Sequence, residues 1–299
     1  MSKFLDFTPI VTNDKEKIGE RCPMKLDRRE KNFPFISSVV LLLIILGCLF
    51  ADLITSANPN YMDLSVMGIA PTKSHLFGTD MLGRDIFSMI WHGGRISLFI
   101  GILSAAFSFV IALVYGSASA LSSKGIDSVM MRAIEIFVSI PTLLLIVLVQ
   151  AAMGGATIFT LSVVIGVTSW MEMAKVVRGE MLQIREREYI LAAKAMGAGF
   201  FYMLRRHYLK NLIPSIMFMA VTNVSIAITA EATLSFLGIG LSIETVSWGS
   251  MLAEAQRALL SNKWWIIIIP GVFLIAAILS ITNLGNYVRK NGNKRIKKI

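Results

Sequence analysis

Residues Arg185 to Pro214 read REREYILAAKAMGAGFFYMLRRHYLKNLIP, a basic stretch set between two apolar runs that each look able to cross a bilayer. A charged insert of this length does not stay in hydrocarbon, where one Lys, Arg or Asp at a helix centre costs roughly 2.5–3.5 kcal/mol. It belongs in water, and the runs beside it belong in the membrane. Within it, LAAKAM predicts a short helix ended by Gly197, and Phe200 to Leu212 predicts a second helix stopped near Pro214. Ala192 and Ala193 leave one side of the first helix nearly bare, and Gly197 has no side chain, so another protein's surface can approach the backbone. Those features suggest a docking element; the plainer alternative is an amphipathic loop between two membrane helices.

Working outward, the whole chain agrees with a membrane setting. Its 299 residues are 55% hydrophobic and 16% charged, with a mean hydropathy of +0.67. A helix needs roughly 20 apolar residues to cross, whereas a strand would alternate over about ten. The runs are continuous, so the fold class is all-α: a polytopic membrane protein with spans expected at Ile36–Ile54, Ile96–Leu121, Val129–Met153, Ala156–Trp170, Ile213–Leu237 and Trp264–Leu284. Six transmembrane helices put both termini on one side.

The net charge of +10 is a topology signal rather than a sign of nucleic acid. Of the 29 Lys and Arg, 8 precede Ile36, 2 lie between Lys124 and Arg132, 8 between Lys175 and Lys210, and 6 after Tyr287. Those 24 share one side of a six-span arrangement, leaving Lys73, Arg84, Arg95, Arg257 and Lys263 on the other. The loaded side is the cytoplasm, with both termini there. Cys22 in the basic arm and Cys48 in the first span lie in different environments, so neither a disulfide framework nor a metal site is expected.

The chain divides accordingly into a cytoplasmic arm (1–35), a first anchor (36–55), an extracytoplasmic segment (56–95), a core (96–286) containing the basic loop (173–213), and a basic tail (287–299) held against anionic lipid. Asp52 reaches interfacial water at the outer end of the anchor. Gly78-Thr79-Asp80 and Gly83-Arg84-Asp85 precede the second apolar run, where Thr79 or Asp80 is expected to cap a short interfacial helix. In the third span Arg132 and Glu135 stand three apart and can pair on one face, or Glu135 can serve the translocation path; Pro141 should bend that helix. In the fifth, Thr222, Ser225, Thr229 and Thr233 share a face, while Asn223 and Glu231 point elsewhere. That stripe either packs inside the bundle or lines a wet pathway, and Glu231 needs a partner. Ser247 to Leu260 is expected to be an external amphipathic stretch.

Several of these strings resemble one family. The order Ala192-Ala193, three residues, Gly197 and a hydrophobic-Pro ending is similar to the cytoplasmic coupling loop of ABC importer permeases. HLFGTDMLGRDIFSMIWHGGRISLFIG resembles the segment before the second span in the dipeptide, oligopeptide and nickel importer class, and EATLSFLGIGL, SWGSML, KWWIIIIPG and NLGN resemble the end of the same permeases in the same order. The similarity covers nearly everything from His75 to Asn286 and points to the C-type subunit of a type I importer. Leu191, Lys210 and Asn286 depart from the family's usual acidic residue, proline and aspartate, which leaves details of the ATPase contact open.

The resemblance implies a binding-protein-dependent permease that forms half of a pathway for peptides, or for nickel or a metal chelate. It also implies a homologous second permease, two ABC ATPase subunits that use the ATP, and an extracytoplasmic solute-binding protein. Leu191, Ala192, Ala193, Met196 and Gly197 would contact the ATPase. Glu135, Thr222, Ser225, Thr229 and Glu231 would line the path, and Asp80, Arg84, Asp85 and Trp248 would serve extracytoplasmic docking. No catalytic residue, bound cofactor or metal is expected: there is no phosphate-cradling Gly-x-x-x-x-Gly-Lys loop and no His-Glu-x-x-His, and His75, His92 and His207 are scattered. The competing class is an ion-driven secondary transporter, for which inverted repeats would be expected and no convincing one is found. A membrane scaffold is disfavoured by the polar residues of spans three and five.

Overall fold

The computed structural model describes residues 33–242, 244–258 and 261–296; the arm up to residue 32, with Cys22, lies outside the described residues. From Pro34 onward the chain forms one compact unit rather than separate domains. Its helices, in chain order, are α1 (Phe35–Leu49), α2 (Ala51–Ile54), α3 (Ile86–Leu121), α4 (Lys124–Val138), α5 (Thr142–Ala152), α6 (Ile158–Thr168), α7 (Met171–Arg185), α8 (Glu188–Ala195), α9 (Phe200–Met203), α10 (Leu209–Phe236), α11 (Trp248–Ala258) and α12 (Trp265–Ile296). A π-helical turn, Leu204–Tyr208, joins α9 to α10.

Among the described residues three helices, in α3, α10 and α12, are long and apolar enough to cross a membrane, and the count rises to five if the bent pairs α4/α5 and α6/α7 each make one crossing. The expected first anchor is shorter than a span. α1 has 15 residues, about 22 Å of helix against a hydrocarbon core of about 30 Å, and the irregular turn at Phe50 separates it from α2. Arg95 closes that break, its guanidinium donating to the carbonyls of Cys48 and Leu49 and to Asp52, where the C-terminal end of α1 favours a cation. The amide of Thr55 still bonds to Ala51, so helical pairing resumes beyond the break.

Three expected boundaries move. α3 begins at Ile86, not Ile96, because Asp85 is its N-cap and accepts from the Ser88 amide at 2.9 Å. The helix then runs 36 residues, taking the last ten of the segment expected outside. Pro141 breaks the third run outright, and α4 and α5 meet at 91°. Pro214 stops nothing: it lies inside α10, where its ring sacrifices one amide donor while the helix continues on buried neighbours Leu212 and Ile216.

Two sections expected at the surface are packed instead. Residues 173–185 of the basic loop belong to α7, whose Met173, Ala174, Val177, Met181 and Ile184 are buried in one apolar cluster. The close approach to α3 depends on Gly116, where a Cβ would stand 2.6 Å from the Ala174 carbonyl oxygen. In α11, Trp248, Met251, Ala255 and Ala258 are buried against α10 and α12, so this helix is not a free amphipathic stretch.

Candidate functional site

The first candidate surface is the basic hairpin. α7 is anchored before it by Arg185, which donates to the Ala120 carbonyl at the end of α3. α8 follows with Glu188 in its first turn, suited to the positive helix end. It stops as LAAKAM-Gly predicts: Gly197 sits at φ +81°, its amide bonds to Lys194, and the Ala198 amide bonds to Ala193. This pairing, with a left-handed residue between, is the glycine-terminated helix end. Ile190 and Ala193 turn inward against Met181, Ile184 and Tyr208, while Leu191 and Met196 are 53% and 81% exposed. Ala192 and Gly197 are also exposed. The bare alanine face is thus split, and Ala193, expected to meet a partner, is core packing of the chain itself.

Behind the hairpin, Asp127 ties the start of α4 to α7. Both oxygens of its carboxylate accept from the Arg178 guanidinium, and Ser119 of α3 donates as well. The pair is mostly buried, with side chains 18% and 29% exposed. Forked, charge-assisted bonds of this kind are stronger than neutral ones. We expect Asp127→Asn to lower stability by about 1–2 kcal/mol and Arg178→Lys to cost nearly as much, since an ammonium cannot fork. Thermal unfolding of the purified protein measures both.

The second candidate is a cavity of about 320 Å³ at the two helix breaks. Ile140 and Thr142 reach it from the α4/α5 break, Ser169 and Met171 from the α6/α7 break, Thr222 and Asn223 from α10, and Asn286 and Arg289 from α12. The structure gathers few of the expected path residues here. Thr222 lines the cavity, but its hydroxyl donates to the Phe218 carbonyl. Thr229 and Thr233 bond back to Ser225 and Thr229, four residues earlier, and Ser225 faces Thr282 and the Ile278 carbonyl of α12.

Glu135 pairs with Arg132 at 2.9 Å on an exposed face of α4, outside this cavity. Glu231 is fully buried elsewhere, accepting from Ser97 of α3, Ser235 and Ser247 at 3.1, 3.0 and 2.7 Å. Three hydroxyls, rather than a cation, answer its need for a partner. They make it a joint between α3, α10 and the start of α11. The face of α10 that does line the cavity is Met219, Thr222, Asn223 and Ile226, a stripe at i, i+3, i+4 and i+7. Asn223, set aside in the sequence reading because it stands off the Ser/Thr stripe, is the residue that reading missed.

The expected extracytoplasmic docking residues are largely interior. Asp80, Arg84 and Trp248 are 3%, 2% and 0% exposed and cannot present side chains to a partner. Asp80 accepts from the amides of Leu82 and Arg84 and from the Arg84 guanidinium at 2.6 Å, while Trp248 donates its amide to Ser97 and its indole N–H to the Ile90 carbonyl. Asp85, besides capping α3, holds His75 at 3.0 Å. GTD and GRD therefore build a folded cover whose capping residue is Asp85, not Thr79 or Asp80. Thr79 instead ties it to α12, its carbonyl accepting from the Trp265 indole. At its outer margin Asp63 caps a short 3-10 turn, where the Ser65 hydroxyl and amide hold its carboxyl below the ordinary carboxylate value. Among the described residues no group of His, Cys, Asp and Glu could hold a metal.

Known proteins resemble this chain in sequence and in fold. A family model described as binding-protein-dependent transport system inner membrane component matches residues 112–297. The dipeptide transport system permease protein DppC of Bacillus subtilis is 36% identical over 83% of this chain and 77% of its own length. The oligopeptide transport system permease protein OppC of the same organism is 32% identical over 98% and 97%, and a putative peptide permease of Brucella suis is 38% identical over 78% and 77%. Among solved structures, the MetNI methionine ABC transporter superposes with a TM-score of 0.57 at 19% identity, over 68% of this chain and 96% of its own, which shows the fold. A helical membrane bundle with a glycine-ended hairpin after α7, matched by the family model over most of its length, places the chain among the binding-protein-dependent transport system inner membrane components.

Proposed function

We propose that this chain is the C-type permease subunit of an ATP-driven ABC importer of peptides, forming half of the translocation pathway. It works beside a homologous second permease, two ABC ATPase subunits and an extracytoplasmic solute-binding protein. The names of the dipeptide and oligopeptide relatives favour peptide over nickel or a metal chelate. Both termini lie in the cytoplasm, α1 with α2 supplies the sixth crossing, and the basic hairpin sits on the side of the ATPases. Nucleotide is bound and hydrolysed by those subunits; this chain holds no cofactor of its own.

The observation that carries the mechanism is α8: a short helix with Leu191 and Met196 projecting, closed by Gly197 and packed on α7 and the π turn. A push on α8 passes directly into α7, which is packed on α3 and tied to α4 through Asp127–Arg178. ATP-driven closure of the ATPases then rocks the helices between inward- and outward-open states. Affinity purification of the tagged chain from native membranes, with mass spectrometry of what accompanies it, tests the reading. Stoichiometric ATPases and ATP-dependent peptide uptake after reconstitution are expected. Uptake driven by an ion gradient with no ATPase present would overturn it.

A further inference from the structure

The cavity at the helix breaks is lined by polar groups, two of which, the Asn223 side-chain nitrogen and the Ser169 hydroxyl, are buried without a partner. α5, 11 residues long, begins at Thr142 directly after Pro141 and has no side-chain cap. Among the described residues, the backbone hydrogen bonds around the break reach the amide of Leu145, which donates to the Pro141 carbonyl, but not those of Thr142, Leu143 or Leu144. Uncapped amides at a helix start carry a partial positive charge and bind oxygen acceptors. Across the same cavity Asn223 is 6% exposed, and its side-chain nitrogen has no hydrogen-bond partner. A third donor, the Arg289 guanidinium, lies 5.7 Å over the Phe218 ring at the cavity wall.

Two acceptors at the wall are already engaged, while the Ser169 hydroxyl beside them is, like Asn223, buried without a partner. The Glu172 carboxylate is 3.4 Å from Lys175, and the Phe218 carbonyl takes the Thr222 hydroxyl. A buried donor without a partner is costly, and a ligand that supplies the acceptor is one reason for a protein to retain it. Broken helices whose starts face a substrate oxygen are one recurrent way for membrane transporters to hold it.

The geometry points to a transient site for a peptide carbonyl or carboxylate oxygen in this cavity, with the Asn223 amide and the start of α5 as its donors. The inference rests on the peptide reading above. It assigns Asn223 as a substrate-binding residue of the pathway and gives the α4/α5 break a purpose: the bend at Pro141 leaves an exposed helix start at the cavity wall, where Thr142 lies, instead of burying it in a continuous span.

The test is uptake of one labelled tripeptide, as free acid and as C-terminal amide, by the complete transporter reconstituted with its ATPases and saturating binding protein. Asn223→Gln, which keeps the donor, is expected to stay within about twofold of the wild type. Asn223→Leu should lose about tenfold, the effect of one unmatched buried donor. Asn223→Asp has the shape of asparagine with an acceptor in place of the donor, and should lose at least as much; it carries the test if the leucine variant does not assemble. A loss confined to the free acid identifies the terminal carboxylate as the bound group, and an equal loss on both peptides identifies a backbone carbonyl. Wild-type uptake by Asn223→Asp, or a glutamine variant as impaired as the leucine one, overturns the assignment while leaving the peptide reading intact. A wild-type complex that moves no peptide overturns both.

Discussion

Leu191→Asp combined with Met196→Asp is expected to abolish ATP-dependent peptide uptake while the permease stays folded. Both side chains project from α8 into solvent, so charging them removes no internal packing. Apolar anchors at the centre of a docked interface contribute about 2 kcal/mol or more each, so losing two weakens ATPase binding about a thousandfold. The added negative charge also sits beside the last turn of α8, where anions are disfavoured. The affinity of purified ATPase subunits for the reconstituted permease measures the first effect, and uptake measures the consequence. Ala193→Leu serves as the contrast. Ala193 is 7% exposed within the core, so this change should lower thermal stability by about 1–3 kcal/mol through overpacking. Undiminished uptake in the double aspartate variant would show that α8 is not where the ATPases hold the permease.

A comparable loss is expected at the other end of the molecule from Arg84→Leu. Asp80 and Arg84 form a buried ion pair at 2.6 Å, and Asp80 also accepts two backbone amides, so its negative charge is held by a cation and two dipoles together. Removing the guanidinium leaves a carboxylate with 3% exposure and only the amides, a change that costs about 3–5 kcal/mol. Asp80→Asn keeps the shape and an amide acceptor but removes the negative charge facing the arginine, and should cost somewhat less. The pairing is read from a double-mutant cycle: combining Arg84→Leu with Asp80→Asn should cost clearly less than the sum of the two. Strict additivity in thermal unfolding would mean that the two side chains do not support each other. Because the cover built on Gly78–Asp85 rests against Trp265, its loss should also expose the N-terminal end of α12 to proteolysis.

The departures of sequence from structure share one cause. Apolar runs and basic clusters report which solvent a segment sits in, but not which of its faces meets a neighbouring helix. Glu231, Trp248, Asp80 and Arg84 carry functional-looking polarity, yet three serines, a serine hydroxyl with a backbone carbonyl, and each other satisfy them inside the fold. The Ser/Thr stripe of α10 looks like a pathway on a helical wheel. In the folded chain it spends its hydroxyls on its own backbone and on α12. Asn223 lay one residue from that stripe, and its signal was chemical rather than periodic: an amide in an apolar span has both a donor and an acceptor to satisfy.

Hydropathy, charge asymmetry and Gly197 determined by themselves that this is a helical membrane protein with a short helix ended at Gly197, and the longer strings added the resemblance to importer permeases. Transfer from water to hydrocarbon and the left-handed turn are properties of single residues and their immediate neighbours. Only the tertiary structure decided that α3 starts at Ile86 behind its cap Asp85, that α7 and α11 are core, that Ala193 faces inward, and that two helix breaks meet Asn223 at one cavity. Those outcomes depend on which residues distant in the chain arrive as neighbours, and burial or an unmatched donor exists only once they have arrived.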